Sequence, residues 1–86
     1  MPLSGAQIRA ARAMLRWTAR QAADRAGVSL PTIQRFEQVD GIPPSRSQTL
    51  LDLKQAFEDA GIVFSGSLDE PCVAWKRPSA SATEAG

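Results

Sequence analysis

Residues 22–37 read AADRAGVSLPTIQRFE, and the glycine inside that run constrains the fold more than any other position. A small-residue helical pattern reaches Ala26 and stops at Gly27, because only glycine takes a left-handed backbone at little steric cost. Ser29 then restarts the chain as an N-cap, and Pro31 sits in the first turn, where a missing N–H costs nothing. The result is two short helices joined at a tight turn. Ala22, Ala23 and Ala26 let them approach closely, while Val28, as a plug, and Ile33 and Phe36 pin the later helix across the earlier one. Thr32, Gln34, Arg35 and Gln38 point away from that packed side. A short helix with one bare face is of a size that the DNA major groove, about 12 Å wide, admits.

The flanking segments supply further helices. Ser4 caps a first helix over residues 5–16, whose stripe of Ala6, Ile8, Ala11, Met14 and Leu15 recurs at three and four residues. Arg9, Arg12 and Arg16 fall off the stripe, and Trp17 packs at its end with the indole N–H near the surface. Thr18 caps a second helix over 19–26, and the third covers 30–38. The turn formers at 40–44 separate it from a fourth helix, capped by Ser45 or Ser47 and ending near residue 60. Its apolar face is Leu50, Leu51, Leu53, Lys54, Ala56 and Phe57, and Gly61 closes it. The period then changes to two, predicting strands at 62–64 and 72–75 with a seven-residue connection. A lone ribbon is marginal in water, so it must lie on the helices or pair with another chain. The fold class expected is an all-α core of four short helices with a small two-stranded β extension. The division expected is a helical domain over 1–61, a β extension over 62–77 as a candidate dimerisation element, and a disordered tail over 78–86. No internal repeat is present.

Composition removes several function classes. With 86 residues the chain suits one small domain. It has no histidine and one cysteine, Cys72, which leaves no Cys/His zinc site, no nucleophile–histidine triad and no internal disulfide. Cys72 reads as a small apolar residue half-buried in a strand. There is no continuous apolar run for a signal peptide or a bilayer span of about 20 residues, so the expectation is a cytoplasmic protein. No metal, cofactor or small-molecule substrate is implied, and no clustered nucleophile and base suggests an enzyme. The net charge of +1 hides an asymmetry: residues 1–50 carry seven arginines against three acids, +4, and residues 51–86 three bases against six acids, −3. Such a distribution can make one face attractive to an anionic polymer.

The run TARQAADRAGVSLPTIQRFEQ resembles the helix-turn-helix of the Cro and phage-repressor class, the XRE family. The match lies in Ala23, Gly27, Val28, Ile33, Phe36 and the pattern Gly-Val-Ser-x-x-Thr-Ile-x-Arg-x-Glu. The flanking QIRAARAMLRWT and LLDLKQAFEDAGIVF resemble the first and fourth helices of small bacterial members, so the likeness covers residues 4–64. It implies a lambda-repressor-like fold and sequence-specific binding of double-stranded DNA, usually as a symmetric homodimer.

Carried over by position, Ser29, Leu30, Pro31, Thr32, Gln34, Arg35 and Gln38 lie where the family's groove-facing residues lie. By chemistry, Arg35 reaches guanine and Gln34 adenine with paired hydrogen bonds, and Leu30 meets a thymine methyl. Thr32 and Gln38 complete the candidate base contacts, although Thr32 and Ser29 equally suit a phosphate. Ser29, Gln21, Arg20, Arg9 and Arg46 are the candidate phosphate contacts. Each has a plainer reading: Arg35 bridging to Asp24 or Glu37, Gln38 simply solvated, and Glu37 a structural partner for an arginine. Two positions depart from the family pattern: Ala19 stands where many members carry a phosphate-binding glutamine, and Leu30-Pro31 where hydrogen-bonding side chains are frequent. The leading expectation is a dimeric repressor whose two third helices lie about 34 Å apart. The competing one is an interaction module of the same fold, an antiactivator or antitoxin, that holds a partner regulator.

Overall fold

Three of the four helices begin on a hydroxyl, which fixes where each starts. The structure is a computed structural model and describes residues 3–76; the tail expected over 78–86 lies outside them. In α1 (Gly5–Leu15), Ser4 Oγ accepts the Gln7 N–H at 3.1 Å and Gln7 Oε1 accepts the Ser4 N–H at 3.1 Å. The same reciprocal box, Thr18 with Gln21, opens α2 (Ala19–Ala26). Ser29 opens α3 (Leu30–Glu37), with Pro31 in the first turn. In α4 (Ser47–Asp59) neither expected serine is the cap. Arg46 occupies the N-cap without a side-chain hydrogen bond, Ser47 is already helical, and the Ser45 hydroxyl donates to the Arg46 carbonyl.

The turn between α2 and α3 forms as the glycine requires, with Gly27 at φ 72°. α1 ends less conventionally: Arg16 adopts φ 59°, and its N–H reaches the Ala13 and Arg12 carbonyls. This left-handed residue ends the helix at Leu15, one position before the sequence-based boundary.

Ile8, Ala11, Ala22, Ala23, Ile33, Phe36, Leu53, Phe57 and Ile62 form one continuous core with Leu3 and Leu50. Alanines at 22 and 23 are buried where α2 meets its neighbours, so the helices approach with no large side chain between them. Trp17 stacks on Phe57 at 5.6 Å between ring centroids, and Phe64 meets the same ring edge-on at 5.9 Å. Met14 and Leu51, expected inward, are exposed, because among the described residues no element covers those flanks of α1 and α4.

The chain closes with an antiparallel hairpin of β1 (Ile62–Gly66) and β2 (Pro71–Trp75), with Ile62 opposite Trp75 and Phe64 opposite Val73. Both strands are longer than expected, which shortens the connection to residues 67–70. Alternation puts Ile62, Phe64, Val73 and Trp75 toward the helices. Cys72 is therefore exposed on the outer face, not half-buried as expected. A single buried amide fastens the ribbon to α1: Gln7 Nε2 donates to the Ser65 and Cys72 carbonyls at 3.2 and 3.1 Å. The helices thus cover one face of the ribbon, and among the described residues no buried side-chain polar atom lacks a partner.

Gly5 sits where α1 begins against the end of α3. Its N–H donates to the Gly41 carbonyl at 2.8 Å, and a Cβ there would collide with the Phe36 and Val39 carbonyl oxygens. Gly5→Ala should therefore force α1 away from α3 and cost about 1–3 kcal/mol, measured by urea unfolding; unchanged stability would show that the approach is not close.

Candidate nucleic-acid interface

α3 is eight residues long, too short to persist alone in water. It is held by its buried face, with Ile33 and Phe36 fully enclosed. Pro31, Gln34, Arg35 and Gln38 are exposed, and their spacing of three, four and seven residues from Pro31 lines them along one outer stripe. Leu30 and Thr32 flank it, half-buried. At the N-terminal end the Ser29 hydroxyl accepts the Thr32 N–H at 3.3 Å and shares a 2.7 Å hydrogen bond with Thr32 Oγ1. Both hydroxyls thus serve the cap, and only the one that accepts the shared bond keeps its hydrogen free for an outside acceptor. Arg35 lies over the Phe36 ring at 5.8 Å and has no ion pair among the described residues. Its guanidinium edge therefore faces solvent without an acid to neutralise it.

Two arginines of α1 hold the far end of α3. Arg12 Nε and Nη2 donate to the two Glu37 carboxylate oxygens at 2.8 and 2.9 Å, and Nη1 donates to the Trp17 carbonyl at 3.1 Å. One planar side chain thereby links α1, the approach to α2 and the last turn of α3. The hydrogen bond to Glu37 raises the Arg12 pKa above its ordinary value; burial opposes the shift and the Coulomb attraction of Glu37 adds to it. A raised pKa on a base means that the stabilisation is fully present below the unfolded value, hence throughout the working pH range.

Arg9 acts beside it. Its Nη1 donates to the carbonyls of Glu37 at 2.6 Å and Val39 at 3.2 Å, and Nη2 pairs with Asp40. The carbonyls at a helix end lack intrahelical donors and carry the negative end of the dipole. The structure thus engages Arg9, a candidate phosphate contact by sequence, at the end of α3. Glu37, read as a structural partner for an arginine, has that role. Neither Asp24 nor Glu37 bridges to Arg35.

A family model described as a helix-turn-helix domain matches residues 5–57, from the first residue of α1 to Phe57 in α4. The chain belongs to the helix-turn-helix domain family. A search of curated proteins returns no match. In DNA-binding helix-turn-helix proteins the second of the two helices enters the major groove; here the two helices joined by the turn are α2 and α3.

Around this helix-turn-helix the remaining candidates are distributed unevenly. Arg20 on α2 and Arg46 before α4 are exposed, with no ion pair among the described residues. Gln21 is exposed, and its Oε1 accepts the Thr18 N–H at 2.8 Å, leaving the amide N–H₂ for an outside acceptor. Arg25 covers the Trp17 ring at 4.8 Å. The clamp formed by Arg9 and Arg12 was missed from sequence, yet a signal existed. The two arginines lie three residues apart, as do Glu37 and Asp40, so two opposite-charge pairs share one spacing. Among the described residues no three His, Cys, Asp or Glu side chains gather to hold a metal, and no helix is long and apolar enough to cross a membrane.

Removing one partner of the clamp leaves the other partly buried and charged. Arg12→Ala should cost about 1–3 kcal/mol in denaturant unfolding, with Glu37→Gln costing less, because the amide still accepts one hydrogen bond. Equal, negligible effects would demote the pair to surface decoration.

Proposed function

We propose that the protein is a sequence-specific regulator of transcription of the Cro and phage-repressor (XRE) type, a homodimeric repressor that inserts α3 into the DNA major groove. The observation that carries the reading is the outer stripe of α3. Gln34 and Arg35 are both exposed, Arg35 has no acid partner among the described residues, and the helix beneath them is clamped at its far end. A pre-positioned cationic fork and an amide are the side chains that read guanine and adenine edges.

Roles follow from chemistry and position. Arg35 and Gln34 read bases, with Thr32, Leu30 and Gln38 at the margins. Leu30 is half-buried, which limits it to contact with a thymine methyl. Gln21, Arg20 and Arg46 supply phosphate contacts, and the Ser29 hydroxyl adds one from the cap. Arg9 positions α3 and leaves the phosphate set. Two copies with α3 helices one DNA turn apart, about 34 Å, would read a two-fold operator. The division of labour is a helix-turn-helix unit over 1–61 and a dimerising ribbon from residue 62.

A second reading keeps the fold and drops DNA: an antiactivator or antitoxin that holds a partner regulator. It is supported by Leu51, which is 55% exposed on α4 next to Asp52, and by Pro31, which occupies the α3 stripe without a donor.

Fluorescence anisotropy with duplex DNA separates the two. The DNA-binding reading predicts nonspecific affinity at low salt that falls steeply as salt rises; no binding at any salt favours the interaction module. On a selected operator, Arg35→Ala should weaken binding by about 1–3 kcal/mol and relax preference at its base pair. Unchanged affinity and preference would remove Arg35 from the site.

A further inference from the structure

The first turn of α3 is poor in hydrogen-bond donors. Pro31 has no N–H, the Thr32 N–H goes to Ser29 Oγ at 3.3 Å, and the Ile33 N–H goes to the Ser29 carbonyl at 3.2 Å. The Ser29 and Thr32 hydroxyls share one bond at 2.7 Å, so only one of their two hydrogens is left for an outside acceptor. Leu30 is half-buried and Pro31 is exposed. The proline ring is therefore what this end of the outer stripe presents, one helical turn before Gln34 and Arg35. Proline suits a first turn because its φ is already helical. That local reason explains its place in the chain, but it does not explain why an apolar ring is the exposed end of a stripe that continues as Gln34, Arg35 and Gln38.

We infer that Pro31 is a specificity-determining residue that reads the 5-methyl group of a pyrimidine, thymine or 5-methylcytosine, by apolar contact alone. This role rests on the base-reading function proposed for α3, and it names what the N-terminal end of that helix recognises. In the major groove thymine offers the O4 acceptor and a C5-methyl group, whereas cytosine offers the N4 donor. A proline ring pairs with neither polar atom, so the methyl is the feature it can distinguish. Thymine and 5-methylcytosine carry that methyl on the same ring carbon and are equivalent to Pro31. Uracil and unmodified cytosine lack it.

Helix geometry locates the methyl relative to the rest of the site. Pro31 and Arg35 lie four residues apart on one face, an axial separation of about 6 Å at about 1.5 Å per residue. Successive base pairs are about 3.4 Å apart, which puts the pyrimidine within about two base pairs of the guanine assigned to Arg35. Each half-site then has a hydrogen-bonded part, read by Gln34 and Arg35, and an apolar end, read by Pro31. Removing one methyl-sized group from water corresponds to about fourfold in affinity. Methylation of a cytosine at that position would strengthen binding instead of obstructing it.

The test uses the full chain and a duplex that it selects from a random library, with binding read by fluorescence anisotropy. Arg35→Ala locates the guanine as the base pair whose preference relaxes. A thymine should lie within about two base pairs of it. Replacing that thymine by deoxyuridine removes only the methyl and should weaken binding about fourfold per half-site. With cytosine there instead, 5-methylation should strengthen binding about fourfold. In Pro31→Ser and Pro31→Gln, both compatible with a first helical turn, the two methyl effects should disappear. A proline needed only to start the helix would instead lower affinity for every duplex alike and leave both methyl effects intact. A selected site without that thymine, equal affinity for thymine and deoxyuridine, no gain from cytosine methylation, or methyl effects that survive both variants would overturn the role of Pro31 and leave DNA binding standing. Absence of binding to any duplex would sink the DNA-binding reading itself, and this role with it.

Discussion

An eight-residue helix has no stability of its own in water, so whatever α3 presents depends on how its two ends are held. The N-terminal end is set by covalent geometry: Gly27 turns the chain and Ser29 caps the restart. The C-terminal end is set by electrostatics. Arg12 binds the Glu37 carboxylate in a two-point contact, and Arg9 takes up the Glu37 and Val39 carbonyls. Because Arg12 also holds the Trp17 carbonyl just before α2, the clamp ties both helices of the turn unit to α1. The α3 backbone under Gln34 and Arg35 is thereby held in place, and the freedom left on that stripe is that of its exposed side chains.

A second buried polar group joins the rest of the molecule to that frame. Gln7 is 1% exposed, and its amide is used on both sides. The oxygen closes the Ser4 capping box, and the nitrogen grips carbonyls on both strands of the hairpin. The helix that carries the arginine clamp therefore also carries the ribbon.

Much of this was legible in the sequence because it depends on local rules. Caps at Ser4, Thr18 and Ser29 and the Gly27 stop predicted the starts of three helices and the turn, and the first three helix ends fell within one residue of expectation. The inward set Ile33 and Phe36 followed from helical period. The misses are tertiary. Arg9 lies off the apolar stripe, and only the folded chain shows it at the carbonyls of residues 37 and 39. Gln7 sits among apolar neighbours, and no local pattern announces that its amide bridges two strands 58 and 65 residues away. Cys72 was misplaced because strand parity is set by which alternate residues face α1; once Val73 and Trp75 turn inward, Cys72 must turn out. The serines before α4 failed as caps because Arg46, not a serine, occupies the cap position.

The central claim is that α3, held on α1, is the surface that meets the duplex. Amide and arginine side-chain NMR shifts of the labelled protein, followed as duplex DNA is added, test it most directly. The account predicts that the largest shifts fall on Ser29, Thr32, Gln34, Arg35 and Gln38, with smaller ones at Arg20 and Arg46. The Arg9 and Arg12 side-chain signals should hold their positions. Shifts concentrated on α4 or the hairpin, with α3 silent, would contradict it.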